Sequence, residues 1–276
     1  MISQKQVQLD QFKLTANNAS IQVEQFLRTE RSISTRGNFK RLKPGEILRS
    51  LNQAPIASGD LALGGEWNLV MAEKLDGNLN IRRESGDVAI HGSASTALGL
   101  SALEVNAKAN KGQLTVQLLA DGKRTGRIEG RLATTIGGDG RFSITPNAPL
   151  AGNLKMNTPT LAWLGPMISP ALVMEGNLQA NVVLDGSFAK PRLQGPVNAD
   201  GLRLLFTDTG IDLKQGVLRS SFQNDQLMIT QLSFKNDGDL LISGPISLLR
   251  EQLAVELKIK ATRYKLIDRS CLLYTS

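Results

Sequence analysis

Period-two alternation constrains this chain more than any other feature, and residues 174–212 carry it most clearly. After Gly176 come Leu178, Ala180, Val182 and Leu184, with Asn177, Gln179 and Asn181 between them. Side chains of a strand point alternately to its two faces, so this spacing predicts a strand with one apolar and one polar face. Val183 is the exception on the polar side. Asp185-Gly186-Ser187 ends the run, and Lys190-Pro191 admits a second strand over 192–199. Pro191 and Pro196 lack a ladder donor, so they suit a strand start and an edge or bulge, not a sheet centre. A third strand puts Leu202, Leu204 and Phe206 on one face before Asp208-Thr209-Gly210 turns the chain.

The same grammar fills the rest. Val7 and Leu9, then Phe12 and Leu14, alternate with a phase slip at Asp10-Gln11, as a β-bulge produces. Strands are predicted at Ile21 and Val23, over 37–42, and over 60–71 with Leu61, Leu63, Trp67, Leu69 and Met71 in phase. Further strands carry Leu79 and Ile81, then Val88 and Ile90, then 98–109, 114–118 and 128–132, with a short one at Phe142 and Ile144. The series closes with 216–222, 226–234, 240–246 and 252–261. Asp121-Gly122 and Gly137-Gly138-Asp139-Gly140 are hairpin turns. Two stretches interrupt the pattern. Residues 44–52 predict a short helix from Pro44 and the spacing of Ile47, Leu48 and Leu51. Residues 160–168, between Pro159 and Pro170, predict one or two helical turns. The reading is one all-β unit over 1–270, a mostly antiparallel meander without a fixed repeat.

Chemistry has no visible home in this pattern. His91 is the only histidine and reads as a polar-face residue, which leaves a zinc site without ligands. There is no Gly-x-Ser-x-Gly elbow for a hydrolase nucleophile. Asp76, Asp121, Asp185 and Asp225 sit in turns, where a bond to the local backbone accounts for them. The chain is therefore read as no enzyme, with no cofactor and no metal. Its net charge of +7 is scattered, and the densest group (Arg36, Lys40, Arg41, Lys43) has only Phe39 for stacking. That argues against a nucleic-acid partner. No apolar run is long enough for a membrane helix. The last six residues, CLLYTS, are what TGT CTC TTA TAC ACA TCT encodes, bases that match the transposon end of a sequencing-library adapter. Residues 271–276 are read as adapter-encoded, and the rest as a piece of a longer protein, extending before residue 1 and beyond 270.

Apolar residues make up 41% of the chain but aromatics only 4%, so each strand has an aliphatic face and little bulk to fill a core. A sandwich, packing two such faces about 10 Å apart, stays open. A membrane barrel wants aromatic girdles and strands of roughly 9–11 residues, and the predicted runs are often shorter. The remaining arrangement is a long, strongly curved sheet whose interior forms an apolar trough. An exposed apolar patch of that size marks a binding site, and acyl chains fit it. The expected lining is Leu61, Leu63 and Leu69, then Leu79, Ile81, Val105, Val116, Ile128 and Leu154. It continues with Leu178, Val182, Leu184, Leu204 and Phe206, and ends with Leu227, Ile229, Ile242, Val255 and Leu257.

Five stretches carry a family resemblance: GDLALGGEW (59–67), LDGNLNIRRESGD (75–87), LAWL (161–164), GSFAKPRLQG (186–195) and YKLIDR (264–269). They resemble the C-terminal part of the TamB family, within the AsmA-like group, and the likeness extends over most of 5–269. The resemblance implies a taco-like β-sheet groove spanning the periplasm, in a large protein anchored in the inner membrane by an N-terminal helix. It implies a C-terminal end, absent here, that meets a TamA-like outer-membrane barrel protein. The implied role is movement of phospholipid between the membranes in outer-membrane biogenesis. The alternative is a β-strand-presenting chaperone that pairs sheet edges with nascent outer-membrane proteins and autotransporters.

Overall fold

A computed structural model describes residues 6–16, 18–46, 57–91, 95–137, 143–224, 226–236, 238–247 and 254–264. Alternation without helical periodicity leaves backbone groups to be satisfied between strands, and hairpin closure is the shortest way to do it. The strands are β1 (Gln6–Ala16), β2 (Ala19–Thr29), β3 (Ile33–Leu42), β4 (Ala57–Gly59), β5 (Ala62–Met71) and β6 (Leu75–Ser85). Next come β7 (Val88–Ile90), β8 (Thr96–Ala97), β9 (Leu100–Asn110), β10 (Gln113–Gly122), β11 (Gly126–Thr135) and β12 (Ala151–Thr158). The last are β13 (Leu172–Gly186), β14 (Pro191–Phe206), β15 (Ile211–Asn224), β16 (Gln226–Asn236), β17 (Gly238–Ser247), β18 (Ala254–Val255) and β19 (Lys258–Thr262). Sixteen of them form one antiparallel sheet, β1-β2-β3-β5-β6-β9-β10 and onward in chain order to β17. Both β18 and β19 pair with β17, while β4, β7 and β8 make a small separate sheet. Among the described residues the large sheet is open: β1 is one edge and does not close onto the other.

In such a meander, alternate links lie at the same end of the sheet. The links β3–β5, β6–β9, β10–β11 and β12–β13 share one end, and hydrogen bonds join them there. Leu61 N–H donates to the Asp87 carbonyl, Lys123 N–H to the Gly99 carbonyl, and the Thr158 hydroxyl to the Arg124 carbonyl. The Asp87 carboxylate accepts from the Val88, Gly99 and Leu100 amides. That end is a bonded rim. The opposite end has mostly tight turns.

Several sequence expectations change. The strands are longer than the alternation suggested, up to 16 residues in β14, so strand length does not argue against a barrel; the open edges do. The stretches 192–199 and 202–206 form one strand, because Gly201 takes φ 63° and shifts the register as a bulge instead of turning the chain. Pro196 lies in that central strand, not at an edge. It is tolerated where the ladder to β13 skips from Val197 to Gln194, beside Gly195 at φ 123°. The strand predicted over 252–261 is split into β18 and β19, and Ile144 lies in no strand. The slip at Asp10-Gln11 is not a bulge against β2: Gln11 takes φ 56°, but one residue is skipped on each strand and the register is the same on both sides. A short helix, α1 (Gly165–Ile168), falls in the second interruption, and residues 44–46 are helical in the first. Residues 47–52, most of the turn over 137–140, Phe142, Asp225, Gln252, Leu253 and residues 265–276 lie outside the described residues.

A compact core forms at the rim end of β13–β17. Leu161, from the link before α1, is 1% exposed and packs with Ala199, Leu202, Leu213, Phe234 and Leu240. Phe234, fully buried, is the largest side chain there. Phe234→Ala should lower the unfolding free energy by about 3–5 kcal/mol, whereas Val183→Thr, on the exposed face, should change it by less than about 0.5 kcal/mol. Denaturant midpoints at constant slope measure both.

Candidate functional site

Directly opposed residues of antiparallel strands share a face, so the register traces a surface across the sheet. One row runs Leu14, Ile21, Phe39, Gly65, Ile81, Val105, Leu118, Gly130, Leu154 and Val182. The adjacent row holds Trp67, Leu79, Ala107, Val116, Leu132, Gly152, Leu184 and Leu193. On the other side Ile128 opposes Met156, Ala180, Val197, Ser220, Ile229 and Gly244 in succession. Leu178 opposes Ala199, then Leu218, Leu232, Ile242 and Ile259. Phe222, Leu227, Ile246 and Val255 form the last row. Leu63 and Leu69 share the phase of Trp67 in β5. Leu204 packs with the core cluster, and Phe206 lies two residues beyond it in β14, opposite Leu172 and Ile211. Of the sequence-assigned lining, all but Leu61 and Leu257 therefore lie on one face. Those two are half-buried in links outside the strands.

The face divides into a filled part and an open part. Leu178, Leu204 and Ile242 pack against the Leu161 cluster, so the protein's own chain covers them. The covering segment is held firmly. Leu161 N–H donates to the Gly176 carbonyl, and the buried Trp163 indole N–H donates to the Thr158 hydroxyl at 3.3 Å. Beyond this stopper a pocket of about 400 Å³ opens, with lining from six consecutive strands. Val116 and Leu118 come from β10, Leu132 from β11, Leu154 from β12, Val182 and Leu184 from β13, Leu193 from β14 and Phe222 from β15. Gly130 lies between Leu118 and Leu154. Val116, Leu154, Val182 and Leu184 were in the expected lining. Leu118, Leu132, Leu193 and Phe222 were not, although their own alternation places them in phase.

The opposite face is polar. Asn80 and Asn106 amides bond across it, and Arg127, Arg192 and Arg219 pair with Glu129, Asp185 and Asp200 respectively. These exposed pairs mainly hold the face wet. Arg203 is more constrained: it donates to both Asp212 oxygens at 2.8 and 2.9 Å and to Glu175 at 2.9 Å. Those bonds to carboxylates hold its guanidinium charged well above its ordinary range. The bond from Arg203 holds the Asp212 carboxyl below its ordinary value, aided by Lys214 and opposed by partial burial. Among the described residues no His, Cys, Asp and Glu cluster could hold a metal ion. His91 is exposed just past β7.

The described residues thus form an open antiparallel sheet with an aliphatic face and a polar back. The family described as "TamB, N-terminal domain" matches residues 1–199, and the chain belongs to the TamB family. That match stands against the expected C-terminal placement. The five resembling stretches are turn-and-strand phrases that can recur along a sheet of this kind, so they carry no position within the family. No curated protein and no solved structure matches the chain. No helix among the described residues is long and apolar enough to cross a membrane.

A depressed carboxylate contributes stability in full above its unfolded value, near 3.8 here, and loses it as pH falls from there through the folded value. Asp212→Asn should therefore destabilise by about 1 kcal/mol near neutral pH. The difference from wild type should vanish in acid. Thermal unfolding of both proteins across pH checks this.

Proposed function

We propose that this chain is a non-enzymatic segment of a hydrophobic β-groove that binds phospholipid acyl chains and passes them between inner and outer membrane, supporting outer-membrane biogenesis. The observation that carries the reading is the unbroken aliphatic face, held in phase over sixteen strands and open at an apolar pocket. An alkyl chain needs no hydrogen-bond partner, and each methylene buried contributes about 0.8 kcal/mol. Lining from six strands around one pocket supports a sheet that curves about this face. Family membership supports a place in the periplasm, within a protein anchored in the inner membrane and working with a TamA-like barrel partner.

The stopper refines the path. Leu161 and the cluster around it fill the rim end of β13–β17, so a chain in the pocket is kept from extending along these strands toward the rim. A second reading, strand presentation to nascent outer-membrane proteins, is favoured by β1. Its whole length is exposed, including Val7, Leu9, Phe12 and Leu14, and its outer backbone edge has no strand partner among the described residues. Exposed edges of this kind template further pairing.

The two readings separate in cells. A photocrosslinking residue at Leu154, which is 37% exposed, or at Lys155 on the other face, is followed by mass spectrometry of adducts. Phospholipid should attach at 154 and not at 155. Protein adducts at a crosslinker on β1, with no lipid at 154, would replace the groove by the chaperone reading.

A further inference from the structure

Gly130 occupies the middle of β11, opposite Leu118 on one side and Leu154 on the other, and lines the apolar pocket. Glycine weakens a strand interior, and its presence there marks a bulge, a bend or a close approach by something else. The other described strand glycines have such reasons in the protein itself. Gly37 and Gly65 face the rings of Trp67 and Phe39, Gly216 faces Phe234, and Gly195 has φ 123°. Gly130 has none of these. Its register is regular on both sides, and its φ lies outside the left-handed region. A Cβ added there would meet Leu118 Cβ at 3.6 Å, Leu154 Cδ1 at 3.8 Å and the Asn153 carbonyl at 4.0 Å, all ordinary contacts. The fold would accept alanine. Any side chain longer than a methyl would extend into the space bounded by Val116, Leu132, Val182 and Leu184.

We infer that Gly130 is a specificity-determining residue whose missing side chain makes the pocket a seat for one unbranched alkyl chain. The inference rests on the acyl-chain reading above and adds where along the face a chain halts. The lining offers almost no polar surface, so the seat recognises the hydrocarbon and is indifferent to the headgroup. A pocket of about 400 Å³ lies in the range that small ligands occupy. Bulkier or ring-bearing apolar molecules would need the width that Leu118 and Leu154 restrict across Gly130.

The test uses the full chain and a diazirine-bearing palmitic acid as probe, with label mapped by peptide mass spectrometry. Wild type should be labelled on β10–β13 around the pocket and also on β5–β6, where Leu69 and Leu79 lie on the same face. Gly130→Ala should keep pocket labelling within about twofold, and Gly130→Phe should cut it about tenfold, the loss expected when a side chain fills space that a few methylenes would take. Labelling on β5–β6 should not change. Gly130→Val serves in place of Gly130→Phe if the larger variant fails to give the wild-type melting transition. Undiminished pocket labelling in a folded Gly130→Phe or Gly130→Val would overturn the inference and leave the groove reading standing. Wild type unlabelled on both regions would overturn the groove reading itself, and the inference with it.

Discussion

Everything in this molecule depends on strand register. The side-chain period of a strand is two, so a slip of one residue between neighbours would move a whole aliphatic row to the polar side. Over sixteen strands such slips would break the face into patches. The structure prevents this with bulges placed where the sequence itself changes phase. In β1 the apolar run steps from Leu9 to Phe12 directly opposite the matching step in β2, with Gln11 at φ 56° and the register between the two strands unaltered. In β2 the step is from Val23 to Phe26, with the register shift between Val23 and Gln25. In β16 it is from Ile229 to Leu232, with the shift between the same two residues. Each bulge returns the next apolar side chain to the common face.

A continuous aliphatic face carries its own problem, since apolar surface left in water is unfavourable. The chain covers part of it with the segment that holds Leu161, Leu164 and Trp163. There the protein behaves as an ordinary packed domain, with Phe234 and Ala199 inaccessible to solvent. Next to this core the face is open, and the low aromatic content matters: aliphatic rows with glycines between them leave room that rings would fill. Stability and an open pocket thus come from adjacent parts of one surface. The polar back, with its arginine–carboxylate pairs, keeps the other surface hydrated.

Most of this architecture was readable in the chain because alternation survives any tertiary context that buries one face. The apolar phase of Leu79, Ile81, Val116, Leu154, Val182 and Leu184 follows from spacing alone. Strand ends were less readable. Asp200-Gly201 has the composition of a turn but acts as a bulge within β14, and only the neighbouring strands decide between the two. Pro196 misled for the same reason, because a local gap in the ladder admits it to a central strand. Which lining residues are open and which lie under the stopper depends on where Leu161 packs, a contact between segments far apart in sequence. Gly130 falls within the strand that the sequence predicts over 128–132, but its role emerges only from the free space above it.

One hydrogen-bond register gives the sheet an apolar side and a water-facing side. Nitroxide labels at successive β12 positions from Gly152 to Asn157, with Cys271 replaced by serine, test it most directly. Accessibility to oxygen and to a water-soluble relaxer is measured with phospholipid vesicles present. A period of two is expected, with 152, 154 and 156 in the apolar phase and 153, 155 and 157 in the polar phase. Uniform accessibility along the strand, or the opposite phase, would contradict it.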